Sequence, residues 1–153
     1  MAYAYSDRLM PPKPILPRAS PAHPSEPAQR HSSGARWLFV EERLTELAAL
    51  PSNWNDDGAP PISVLALEIT RQLLALRPPL IRLSELFPSP EGGVLIEYVR
   101  GSWDLTVEIS ADGTLEIFGF EIDGTRKLFP HPYPSLDANF FAALDTAGGP
   151  QWL

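Results

Sequence analysis

The sequence predicts an α+β fold, with two helices and a C-terminal third packed on a three- to four-stranded antiparallel meander. Between residues 37 and 76 apolar residues recur at helical spacing, and from 94 onward they fall at alternate positions. Short turn-forming triplets, Arg100-Gly101-Ser102 and Ala111-Asp112-Gly113, separate the alternating runs.

The first 35 residues hold seven of the eighteen prolines. Proline lacks an amide donor and restricts the residue before it, so this stretch reads as a flexible, extended arm, with structure beginning near Arg36. Tyr3, Tyr5 and Met10 are its apolar points and its candidate partner-binding residues. Trp37, Val40, Leu44 and Leu47 then form one stripe of an amphipathic helix that Pro51 ends. Ile62, Leu65, Ile69, Leu73 and Leu76 mark a second helix over 63–76, capped by Ser63 and stopped by Pro78-Pro79.

Val94, Ile96 and Tyr98 alternate with Leu95, Glu97 and Val99 in a first strand. Trp103, Leu105, Val107 and Ile109 form the second, and 115–120 the third. Asp123-Gly124 turns into a shorter fourth strand over 125–129. A last helix over 135–146 carries Leu136, Phe140 and Leu144, and Gly148-Gly149 ends it. The domain thus runs from 36 to 153.

Composition limits the function. The 153 residues contain no cysteine, which excludes disulfides and thiolate chemistry and fits a reducing cytoplasm. No apolar run is long enough to span a membrane. Residues 1–36 carry five basic and two acidic side chains, a balance of +3, and the rest carries seven and seventeen, a balance of −10. An acidic body disfavours phosphate-backbone binding and favours a more basic protein partner.

Catalytic constellations are sparse. Asp56 and Asp57 are an adjacent carboxylate pair in a turn-forming segment, and a small metal-dependent hydrolase would be built on them. Asn53, Asn55 and Asp57 alternate as calcium ligands do, but no bidentate Glu follows before Glu68. The segment therefore reads as a structural turn: Trp54 plugs a gap between helices, and Asp56, Asp57 and Gly58 form a capped turn. His131 is a surface residue in a stiff proline connector. Pro88 to Gly93 lacks the spacing of a phosphate loop and leads into a strand rather than a helix. Trp103, Tyr98, Phe118 and Phe120 read as core rather than base-stacking residues, for Lys and Arg are few beside them. Glu97, Glu108 and Glu116 can share one sheet face and receive a basic partner.

The order of Trp54-Asn55-Asp56-Asp57-Gly58-Ala59-Pro60-Pro61, a helix, Pro88-Ser89-Pro90-Glu91-Gly92-Gly93 and a strand with Glu97-Tyr98 resembles a group of short uncharacterised bacterial proteins. The resemblance covers about residues 50–120 and departs from the pattern at Asn55, Asp57 and Tyr98. It implies an accessory protein of bacterial, phage or mobile-element origin, without functional residues. The expectation is a protein-binding module, antitoxin-like, inhibitory or accessory, with no cofactor. The alternative is a nucleic-acid-associated subunit of a defence or mobile-element complex.

Overall fold

The structure, a computed structural model, describes residues 27–149. Tyr3, Tyr5, Met10 and most of the proline-rich arm lie outside the described residues.

Helix α1 (Pro27–Ala48) starts nine residues before Arg36. Pro27 is the last proline of the arm, and proline suits the first helical position because its missing N–H has no intrahelical partner there. Val40, Leu44 and Leu47 are buried, as their spacing predicts, and Trp37 packs against the same cluster. Helix α2 (Val64–Leu76) is capped by Ser63, whose Oγ accepts from the Ala66 N–H. Its buried stripe is Ala66, Leu67, Thr70, Leu73 and Leu74. Leu65 and Leu76, which the spacing places on the apolar stripe, stand about half exposed. Thr70 can enter the core because its hydroxyl donates to the Ala66 carbonyl at 2.8 Å.

The expected architecture of two N-terminal helices and a three- to four-stranded meander needs correction. The fold is α+β, but the described residues form four helices and one six-stranded antiparallel sheet. Pro78-Pro79 ends α2 and also opens a short α3 (Pro78–Leu83), since prolines fit the first turn of a helix. Strand β1 (Ser84–Pro88) follows and pairs with β2 (Val94–Arg100). Strands β3 (Trp103–Ile109) and β4 (Leu115–Glu121) complete the expected meander. The fourth strand contracts to β5 (Lys127–Leu128), and the proline connector supplies β6 (Pro132–Tyr133), both on β4. Helix α4 (Ala138–Thr146) begins at Asp137, whose carboxylate accepts from the Phe140 N–H.

All four helices lie on one face of the sheet. Val94, Ile96, Tyr98, Leu105, Val107, Ile109, Leu115 and Ile117 point into the core that the helices close. Arg100 fastens α4: its buried guanidinium donates through Nη1 to the carbonyls of Asp145 and Ala147 at 3.1 and 2.6 Å. Those carbonyls are the negative end of the helix, so the cation is held by the dipole as well as by hydrogen bonds. Arg77 reaches Asp145 with both prongs at 2.9 Å and stacks over the Phe141 ring. Among the described residues no helix is long and apolar enough to cross a membrane.

Candidate functional site

Two regions draw attention: the loops at one end of the sheet and the sheet face away from the helices. The loops hold the segment that stood out in the sequence. Asn53 and Asp56 both take left-handed backbone conformations, φ 63° and 60°, which non-glycine residues seldom adopt. Side-chain oxygens enforce them. Asn53 Oδ1 accepts from Gly58 N at 2.7 Å, and Asn55 Oδ1 accepts from Asp57 N and Ala59 N at 3.0 and 2.9 Å. The two asparagine oxygens that could have served a cation are thus engaged by the chain's own amides. Asp56 and Asp57 are exposed, and among the described residues no three His, Cys, Asp or Glu side chains converge on a metal-sized site.

Trp54 is half-buried, and its Nε1 donates to the Pro60 carbonyl at 3.1 Å. The described core and its packed rim are built without it. Its role is local, clasping the turn that leads to Pro60-Pro61. Those prolines meet the second glycine-bearing segment: a Cβ on Gly92, at φ 85°, would lie 3.1 Å from both Pro60 Cγ and the Pro61 carbonyl. Ser63 joins the loops, donating from its N–H to Gly92 O and from Oγ to Ala111 O, each at 2.8 Å. The motifs that stand out in the sequence therefore dock on one another and fix the end of the sheet.

The opposite sheet face is different in kind. Three cross-strand rows cover it. Glu85 lies opposite Glu97, then Thr106 and Phe118; Leu95 lies opposite Glu108, which faces Glu116; Val99 lies opposite Asp104, then Phe120 and Lys127. Glu97, Glu108 and Glu116 do share this face, as their spacing predicts. Register adds Glu85 and Asp104, which sequence reasoning missed; Glu85 could not be placed because its strand was unrecognised. Two like-charged pairs, Glu85 with Glu97 and Glu108 with Glu116, stand directly across from each other. Such pairs weaken a sheet.

Little on this face neutralises them. Among the described residues the ion pairs are Arg43–Glu46, Arg71–Glu41, Arg77–Asp145 and Arg126–Glu121, none involving these five carboxylates. Glu108 accepts from the buried Ser89 hydroxyl at 3.0 Å. Aromatic side chains accompany the charge. Tyr98 belongs to the core and Trp103 packs against it, but Phe118 and Phe120 stand on the open face, Phe120 half exposed. Alternation could have shown this, since both share the parity of Glu116. The four aromatics read together as core divide between the two faces.

No protein-family model, curated protein or solved structure matches the chain.

Proposed function

We propose that this protein is a protein-binding module, antitoxin-like, inhibitory or accessory, that docks a more basic protein on its open sheet face. One observation carries the reading: Glu85, Glu97, Asp104, Glu108 and Glu116 share a face that no described helix covers, with half-exposed Val99 and Phe120. A single exposed ring is ordinary, but apolar side chains grouped with directly opposed glutamates serve neither solubility nor stability. Together they suit a partner that brings cations for the carboxylates and apolar groups for the rings. Nucleic acid would meet the same five negative charges and be repelled, so any association with it would run through the partner.

Photo-crosslinking in the source cell tests this reading. A benzophenone amino acid at Phe120 should capture a basic protein, whereas the same group at Glu68, exposed on α2, should not. Equal capture from both positions, or capture from Glu68 alone, would move the docking surface elsewhere.

A further inference from the structure

The sheet's two edges decide how a partner can reach it. Extended segments join sheets by pairing with an edge strand through main-chain hydrogen bonds. In a strand, alternate residues turn their backbone groups the same way, so those of Ser84, Leu86 and Pro88 point away from β2 together. Three of these six outward groups are committed or missing, which interrupts the row an added strand would pair with: Arg43 Nε donates to the Leu86 carbonyl at 3.0 Å, the Ser84 N–H donates to Leu80 O, and Pro88 has no N–H. The other edge is two short pieces, β5 and β6, set among Pro130, Pro132 and Pro134. Short, proline-bearing edges resist strand addition.

What remains is the open face, which presents side chains and no backbone partners. A segment laid across it must satisfy its own N–H and C=O groups, and a helix does so internally. The acidic band runs diagonally from Glu85 and Glu97 to Glu108 and Glu116. It crosses three strand spacings and one two-residue step, about 16 Å in all, the length of about three helical turns. Phe87 and Leu95 lie on one side of the band, Phe118 and Phe120 on the other.

We infer that the partner element seated here is an amphipathic α-helix with a Lys/Arg stripe flanked by apolar residues, laid along the acidic band. The inference rests on the docking reading above and narrows its partner class. Spacing of i, i+4, i+7 puts successive cations over the glutamates, and the flanking residues reach the rings on both sides.

A labelled alanine-based peptide of about 18 residues with Lys at i, i+4, i+7 and i+11 and leucines beside them is the probe. Its control is the same peptide with one central alanine replaced by proline. The full chain should bind the helical peptide about tenfold more tightly than the proline peptide, with a gain of helical circular dichroism on mixing. E97K/E108K/E116K should abolish that binding. E42K/E68K/E91K makes the same charge change at exposed positions away from the face and should leave binding within about twofold. Equal loss in both variants, or equal affinity for both peptides, overturns the inference. Tight, face-dependent binding of the proline peptide alone removes the helix but keeps the docking face, and failure of both peptides removes both.

Discussion

Ile96 and Glu97 are neighbours in one strand, yet Ile96 is wholly buried beneath the helices and Glu97 stands in solvent on the bare face. A milder contrast repeats along β3, where Val107 is wholly buried and Glu108 is half-buried on the opposite face. The helix-covered side gathers the apolar burial, the buried Arg100 latch and the close glycine contacts. The other side gathers like charges and half-exposed rings, both of which work against stability. Cohesion on one face leaves the alternate residues free to be chosen for something else. Alternation by twos lets one set of strands do both.

Substitutions at matched positions should break this symmetry most plainly. Ile96→Ala should cost ~2–5 kcal/mol, through lost burial and the cavity left behind. Phe120→Ala on the other face should stay within about 1 kcal/mol. Urea unfolding of both variants measures the difference, and equal losses would show that the open face is part of the core.

Next in size is the loop lock. A methyl at Gly93 would run into the Ile109 carbonyl across the β2–β3 pair, backbone that cannot move aside cheaply. Gly93→Ala should therefore lower stability by ~1–3 kcal/mol, visible as a depressed Tm.

A smaller effect separates the faces by pH. Burial raises the Tyr98 hydroxyl above its usual range, so the folded chain holds a proton that the unfolded chain releases near pH 10. The stability tied to that proton is complete below about pH 10 and declines as pH rises beyond it. Tyr98→Phe should show a shallower fall than wild type in urea unfolding between about pH 9 and 11.

The smallest expected change has the opposite sign. Glu116→Lys replaces a like-charged cross-strand pair with Glu108 by an opposite one. It should leave Tm unchanged or raise stability by about 0.2–1 kcal/mol. A clear loss would mean that Glu116 holds the sheet together.

Much of this division could be read in the sequence, and the failures have physical causes. Strands β2 to β4 announce themselves because seven-residue alternation has a strong period. Glu97, Glu108 and Glu116 could be grouped by parity alone. Strand β1 could not, since five residues with one fully buried side chain, Leu86, and a terminal proline carry almost no period. Glu85 was lost with it. Pro78-Pro79 read as a stop because breaking α2 and opening α3 look identical in sequence. Leu65 and Leu76 drew the α2 stripe off its true face because Ala66 and Thr70, the residues that pack, carry too little hydrophobicity to mark it. Trp54 read as a plug between helices, whereas its indole N–H serves its own loop.

The claim that one face folds the chain and the other binds is tested most directly by the kinetics of E97K/E108K/E116K with the protein captured through Phe120. The account predicts at most a modest fall in Tm, because Glu97 is exposed, Glu108 and Glu116 are partly so, and the one bond lost is that from Ser89 to Glu108. It also predicts association slowed about tenfold or more at low salt, with the defect shrinking as the Debye length falls below about 10 Å. Wild-type association by the triple variant at low salt would contradict it.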